Sequence, residues 1–168
     1  MAIKSFNLLN FIKMSRLSDL LEKTLSEIRE IMPWNLVDRM AENPELIILD
    51  VREPKEFEAV HIEGSIHVPR GVLESACEWD YDDTVPALVT GRDKEIVVVC
   101  RSGRRSAFAA KTMQELGFTN VVSLKTGLRG WNDYEESLVN SAGETVDEEF
   151  ADDFFTSKVR PDQLKPKA

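Results

Sequence analysis

Short apolar runs alternate with polar, helix-forming segments through the middle of the chain. Four runs have the length and composition of buried strands: residues 46–50, 65–69, 96–100 and 121–124. Residues 54–59 and 106–116 lie between these runs and have the composition or the spacing of helices. The alternation predicts an α/β domain with a central, mostly parallel sheet and helices on both of its faces.

The segment before this domain predicts an amphipathic helix. Its apolar positions, which recur at helical spacing among charged residues, are Leu17, Leu21, Leu25 and Ile28. This helix either packs on the same domain or docks to a partner, which could be a second copy of the chain in a homodimer. Ahead of it, residues 1–13 lack the uninterrupted apolar run and the cleavage site of a secretory signal, and Met14 stays open as the true start. We assign residues 1–30 to an N-terminal extension.

The last stretch, residues 139–168, combines many acidic side chains with three phenylalanines. Acidic tails are usually solvated, whereas free tails are usually poor in aromatic residues. Part of this acidic, aromatic tail is therefore expected to pack against the rest of the protein.

Composition and charge narrow the function classes. The 168 residues are 42% hydrophobic and 30% charged, which fits one globular domain with extensions. The net charge of −9 argues against nucleic-acid binding, because such binding neutralises phosphates with Lys and Arg. No apolar run approaches the ~20 residues that span a bilayer. Two cysteines and two histidines are too few for a closed zinc site, so we expect no metal and no cofactor.

Cys100 lies where the predicted central strand ends, and an arginine-rich loop and a helix follow it at once. The loop and the first helical residues are Arg101, Ser102, Gly103, Arg104, Arg105 and Ser106. The backbone N–H groups of such a loop, the positive end of the helix dipole and three guanidinium groups would all stabilise a thiolate over a thiol. This arrangement predicts a cysteine nucleophile that attacks a small anionic substrate.

The second cysteine leaves two interpretations open. Cys77 lies in an acidic stretch, residues 74–93, either as a packed side chain or as a resolving cysteine for Cys100. Two cysteines without a secretory signal favour a reducing, cytoplasmic setting, which would also keep Cys100 available.

Several motifs, in this order along the chain, resemble a rhodanese domain. They are the segments at residues 49–52 (LDVR), 56–57 (EF), 61–69 (HIEGSIHVP), 100–105 (CRSGRR) and 127–131 (GLRGW). The resemblance covers residues 31–138 and implies a rhodanese-like fold. It also implies a sulfurtransferase in which Cys100 takes sulfur from thiosulfate or a persulfide and passes it to cyanide or a thiol acceptor.

The resemblance implies roles for the residues around Cys100. The backbone N–H groups of residues 101–106 would cradle the persulfide, and the side chains of Arg101, Arg104 and Arg105 would help to hold the anionic donor. Asp50 and Arg52 match an Asp-x-Arg element of the family and are interpreted as supporting residues, in the form of an ion pair that organises neighbouring loops.

Three other functions compete with this one. Rhodanese-like phosphatases carry an arginine six positions after the cysteine, where this chain has Ser106, so phosphatase chemistry is disfavoured. A sulfur carrier would keep Cys100 but deliver its sulfur to a protein partner, with poor turnover of small molecules. A binding module for a protein partner is the remaining alternative, against which the presence of Cys100 argues.

Overall fold

A computed structural model describes residues 16–166 and contains one five-stranded sheet. The strands are β1 (Glu30–Ile31), β2 (Ile47–Asp50), β3 (Ile66–His67), β4 (Ile96–Val99) and β5 (Val121–Leu124). All neighbouring pairs are parallel, and the order across the sheet is β1-β5-β4-β2-β3. The α/β prediction is confirmed, and the sheet is wholly parallel. The sequence pattern did not reveal β1, which has only two residues.

Helices connect the strands and extend the chain at both ends. They are α1 (Leu17–Glu27), α2 (Pro33–Glu42), α3 (Pro54–Ala59), α4 (Leu73–Ala76), α5 (Pro86–Val89), α6 (Arg104–Glu115), α7 (Gly127–Asp133) and α8 (Glu148–Phe155). Two short 3₁₀ turns occur at Arg70–Val72 and Pro161–Gln163. No helix between residues 16 and 166 has the length and apolar character needed to cross a membrane.

The central strand β4 supplies side chains to both hydrophobic cores, because successive side chains of a strand point to opposite faces. Ile96 and Val98 join the core under α4, α5 and α6, and Cys100 continues this alternation just past the strand. Val97 and Val99 join the second core, under α2, α7 and α8. A continuous run of apolar residues is therefore required here, since neither face of the strand meets water.

The N-terminal helix packs on its own domain. Helix α1 lies against α6, and Lys111 of α6 forms an ion pair with Glu27 at 2.6 Å. Thr24 is buried in this contact, while Leu17 and Leu20 stay exposed. The alternatives of a secretory signal and of a start at Met14 concern residues outside the described part of the chain.

The acidic tail folds back onto the second core. Asp147 caps α8 by accepting hydrogen bonds from the N–H groups of Glu149 and Phe150. Ala151 and Phe155 of this helix are buried against α7. Part of the tail therefore packs, as expected, with Phe155 buried and Phe150 exposed.

Candidate active site

The catalytic loop, defined here as residues 100–103, follows β4 at the carboxyl end of the sheet. Ligands of open α/β sheets bind at this end. Gly103 ends the loop with φ +87° and precedes the first residue of α6. A β-carbon at Gly103 would overlap the carbonyl oxygen of Lys125, so the close approach of the loop to the β5–α7 connection also requires glycine.

A backbone N–H and a hydroxyl contact the sulfur of Cys100, whose residue is 1% exposed. The backbone N–H of Gly103 donates to Cys100 Sγ at 3.2 Å. The Cys100 thiol contacts Ser106 Oγ at 3.4 Å, and Ser123 Oγ donates to Ser106 Oγ at 2.8 Å. When the sulfur is ionised, the hydroxyl of Ser106 can donate to it while still accepting from Ser123. We call Ser123, Ser106 and Cys100 the hydroxyl relay.

The first turn of α6 faces the same sulfur. The backbone N–H groups of the first helical residues have no intrahelical acceptor, and they carry the positive end of the helix dipole. Ser106 is fully buried in this turn. Of the cradle predicted over residues 101–106, one N–H contacts the sulfur, that of Gly103.

The start of α7 holds the other side of the catalytic loop. The N–H of Leu128 donates to the carbonyl of Cys100 at 2.8 Å, and the N–H of Arg129 donates to that of Arg101 at 3.0 Å. Gly127 has φ +62°, and a β-carbon there would overlap the backbone of residues 100–102. This contact explains the first glycine of the motif at residues 127–131. Trp131 of the same motif lies in the core, 3% exposed.

Asp50 and Arg52 form a fully buried ion pair beside the active site. Arg52 Nε lies 3.0 Å from both carboxylate oxygens of Asp50, and Arg52 Nη2 lies 2.7 Å from Oδ2. Arg52 Nη2 also donates to the carbonyl of Val60. The pair therefore links the end of β2 to the end of α3, as a loop-organising ion pair should. Arg52 Nη1 is buried without a hydrogen-bond partner within the described residues.

Within the described part of the chain, Arg105 forms an ion pair with Glu56, unlike the other two arginines of the segment. Its two terminal nitrogens bind both carboxylate oxygens of Glu56, at 2.6 and 2.7 Å, so its charge is already engaged. Burial by itself would raise the pKa of Glu56, but the hydrogen bonds from Arg105 and the Glu53 N–H, with the charges of Arg105 and Arg52, hold that pKa below its ordinary value. The hydrogen bond to Glu56 in turn raises the pKa of Arg105.

Arg101 and Arg104 differ from Arg105. Arg101 is half-buried and Arg104 is exposed, and neither forms an ion pair within residues 16–166. These two guanidinium groups are therefore free to meet an incoming anion. That they help to hold the anionic donor stays a prediction.

Cys77 is a packed core thiol, which favours the first of the two interpretations left open for it. It is fully buried in the same core cluster as Leu73 and Ala76 of α4. Burial raises the pKa of Cys77 to about 11, despite the opposing charge of Arg92. It is thus protonated at neutral pH, whereas attack on a persulfide or disulfide requires a thiolate.

Two participants were missed in the sequence because they meet Cys100 or its loop only through the fold. Ser123 lies on β5, and Glu56 lies on α3, 49 residues before Arg105. Glu56 belongs to the motif at residues 56–57, but nothing in that motif indicates a contact with Arg105, and no motif marks Ser123. Within the described residues, no group of three or more His, Cys, Asp or Glu side chains has the arrangement of a metal site.

Comparison with known proteins identifies a matching family and several relatives. A family model described as a rhodanese-like domain matches residues 34–134. The chain is 38% identical over 107 residues to a putative sulfur carrier protein, YrkF, of Bacillus subtilis, covering 63% of this chain and 52% of that protein. It is 32% identical over 103 residues to a putative mitochondrial thiosulfate sulfurtransferase of Schizosaccharomyces pombe, covering 60% of this chain and 72% of that protein.

A solved structure shares the fold. A protein of unknown function from Rhodopseudomonas palustris, described as a possible tyrosine phosphatase, superposes with a TM-score of 0.67 at 28% identity. The match covers 73% of this chain and 93% of the other. This chain spans about half the length of the sulfur carrier protein and most of the length of the other two proteins.

Proposed function

We propose that this chain, which belongs to the rhodanese-like domain family, is a sulfurtransferase that carries sulfur on Cys100. The observation that supports this most is the surroundings of the sulfur. A backbone N–H and a hydroxyl lie within hydrogen-bond distance of Cys100 Sγ, at the mouth of a helix N-terminus. These groups can donate hydrogen bonds to the terminal anionic sulfur of a persulfide after the first step.

In the first step, Cys100 is loaded with sulfur. The thiolate attacks the outer sulfur of thiosulfate and forms a new S–S bond, while the bond between the two sulfurs of thiosulfate breaks and its electron pair leaves with sulfite. Cys100 thereby becomes a persulfide, and no external oxidant is needed. Arg101 and Arg104 have no ion-pair partner within the described residues and would attract the dianionic donor.

In the second step, the persulfide is discharged. Cyanide or a thiolate attacks the terminal sulfur, the S–S bond to Cys100 breaks, and the Cys100 thiolate returns. The product is thiocyanate or a new persulfide, respectively. A thiol acceptor first loses its proton to solvent. The two free thiols of the protein suit a reducing compartment, in line with the cytoplasmic location expected from the sequence.

The surroundings of Cys100 also bear on two alternatives, a phosphatase and a sulfur carrier. Phosphatase chemistry would need an arginine where the chain has Ser106, whose side chain is buried between Cys100 and Ser123 and cannot span a phosphate. A sulfur carrier would use the same persulfide but deliver it to a protein. The name of the Bacillus subtilis relative favours this second candidate, which differs from an enzyme only in turnover with small acceptors.

Thiocyanate formation from thiosulfate and cyanide tests the proposal. We expect turnover by the wild-type protein and by Cys77→Ala, and none by Cys100→Ala. Because Cys77 is a buried core thiol that is not a member of the hydroxyl relay, it is the matched control for loss of a cysteine. A loaded persulfide without turnover would favour the carrier, and turnover that survives in Cys100→Ala would contradict the mechanism.

A further inference from the structure

The ion pair between Glu56 and Arg105 joins two helices that start at the edge of the sheet where Cys100 lies. Helix α3 follows β2, helix α6 follows β4, and these two strands are parallel neighbours in the sheet. Asp50 at the end of β2 pairs in register with Val99, the residue before Cys100. The ion pair therefore bridges the segment that carries Cys100 and the segment beside it.

Arg105 is close enough to Cys100 for their charges to interact. It is the second residue of α6 and directly precedes Ser106, whose hydroxyl lies 3.4 Å from Cys100 Sγ. The hydrogen bond to Glu56 is the largest influence that raises the pKa of Arg105, and a negative charge on Cys100 raises that pKa further. Because the energy between two charges falls with distance, Arg105 contributes to the electrostatic potential in which the sulfur reacts.

Glu56 cancels the charge that Arg105 would otherwise present to an incoming anion. Each carboxylate oxygen of Glu56 accepts a hydrogen bond from one terminal nitrogen of Arg105, at 2.6 and 2.7 Å. The backbone N–H of Glu53 donates to the same carboxylate at 3.1 Å and fixes it at the start of α3. The side chains of Arg105 and Glu56 are only 34% and 24% exposed, so solvent screens their charges incompletely.

We propose that Glu56, by neutralising Arg105, sets the preference of the active site among sulfur donors of different charge. The proposal rests on the sulfurtransferase function and deepens it, and the steps of sulfur transfer stay the same. A dianion such as thiosulfate gains more than a monoanion from a positive charge near Cys100, because the Coulomb energy is proportional to the charge. A neutralised Arg105 therefore narrows the advantage of thiosulfate over a monoanionic donor such as a persulfide. Glu56 is a positioning residue that acts through Arg105.

Removing either charge of the pair tests the proposal in opposite directions. Iodoacetate is an anion and iodoacetamide is neutral, but both alkylate the same thiolate. The ratio of their rates at Cys100 therefore reports the local electrostatic potential and cancels any change in the thiolate population. We expect this ratio to rise about threefold in Glu56→Gln and to fall about threefold in Arg105→Gln. It should return to the wild-type value in the double variant, where neither charge remains.

The matched control is another ion pair of similar exposure, between Arg39 and Glu95. Glu95 directly precedes β4 and thus lies at the amino end of the strand, whereas Cys100 follows the carboxyl end. The variant Glu95→Gln should keep the wild-type ratio of alkylation rates.

A purely structural role of the pair predicts a different pattern. If the pair only held α3 against α6, both single variants would change the ratio in the same direction or not at all, and the double variant would resemble them. Either result would overturn the proposal. Alkylation needs no turnover, so it tests the pair even if the wild type forms neither persulfide nor thiocyanate, a result that would overturn the proposed function instead.

Donors of different charge are then compared in the same variants. Thiosulfate and methanethiosulfonate offer the same kind of outer sulfur with two and with one negative charge, and cyanide is the acceptor for both. We expect the ratio of kcat/KM for thiosulfate to kcat/KM for methanethiosulfonate to rise about threefold in Glu56→Gln and to fall about threefold in Arg105→Gln. It should stay at the wild-type value in Glu95→Gln. A constant donor ratio in the presence of the expected alkylation ratios would overturn the assignment of Glu56 to donor selection.

Discussion

Removing the hydroxyl of Ser106 tests how the protein stabilises the Cys100 thiolate. Ser106 and Ser123 are fully buried, and their hydroxyls form a chain that ends at Cys100 Sγ. In Ser106→Ala the thiolate keeps the N–H of Gly103 but loses its hydroxyl donor. In Ser123→Ala the donor remains but is no longer polarised by the second hydroxyl.

The structure sets the expected order of the two effects. A hydrogen bond to an ionised group contributes about 1.5–3 kcal/mol, and a neutral one contributes about 1 kcal/mol. With a factor of ten for each ~1.4 kcal/mol, Ser106→Ala should slow the reaction of Cys100 with iodoacetamide about ten- to a hundredfold, and Ser123→Ala about fivefold. The double variant should resemble Ser106→Ala alone, because Ser123 acts only through Ser106.

The assay is the rate of alkylation by iodoacetamide at a fixed neutral pH, followed on the peptide that contains Cys100. Cys77 does not interfere, because burial raises its pKa to about 11. Ser75→Ala is the control, since it removes a hydroxyl on α4 that bonds to Val72 and Asp83 away from the relay. Alkylation of Ser106→Ala at the wild-type rate would refute the relay.

Three further predictions concern the frame of the site. Arg52→Met should lower the free energy of unfolding by urea by about 3–5 kcal/mol, because it leaves the buried charge of Asp50 unpaired. Combining Arg52→Met with Asp50→Leu should recover part of that loss. A double variant no more stable than Arg52→Met alone would contradict this account. Gly103→Ala should abolish thiocyanate formation, since its β-carbon would meet the Lys125 carbonyl and its φ is +87°, while the protein keeps its far-ultraviolet circular dichroism; full activity would disprove the packing argument. The pKa of Glu56 is lower in the folded protein than its ordinary value of 4.5. At a pH above 4.5 the ionised Glu56 therefore stabilises the fold, and this contribution is lost as the pH falls through the folded-state pKa. The difference in urea stability between wild type and Glu56→Gln should accordingly be constant near neutrality and vanish in acid, and a difference that grows in acid would show the opposite sign of coupling.

The central part of the fold was predictable because local pattern decides it. The apolar run before Cys100 has to be a buried strand, and the glycine and arginines after it have to form a loop and a helix start. Strand β1 escaped prediction because two residues carry no periodicity, and its position depends on pairing with β5. Helix α8 was hidden by its acidic residues, although Phe155 on one face is what buries it.

The active site was predictable only as far as it is local in the chain. Cys100 and the cradle lie on one segment, so their chemistry follows from neighbouring residues. The contacts of Ser123 with Ser106 and of Glu56 with Arg105 join separate elements, and they change the interpretation in opposite ways. Ser123 adds a donor chain behind the sulfur, whereas Glu56 engages an arginine that would otherwise seem free for the substrate.

The most direct test of the account is the mass of the peptide containing Cys100 after the reduced protein has been treated with thiosulfate and freed of excess donor. The account predicts one added sulfur atom on that peptide, none on the peptide with Cys77, and loss of the added sulfur when cyanide or a thiol is supplied. An unmodified Cys100 under conditions in which the folded protein binds thiosulfate would contradict it.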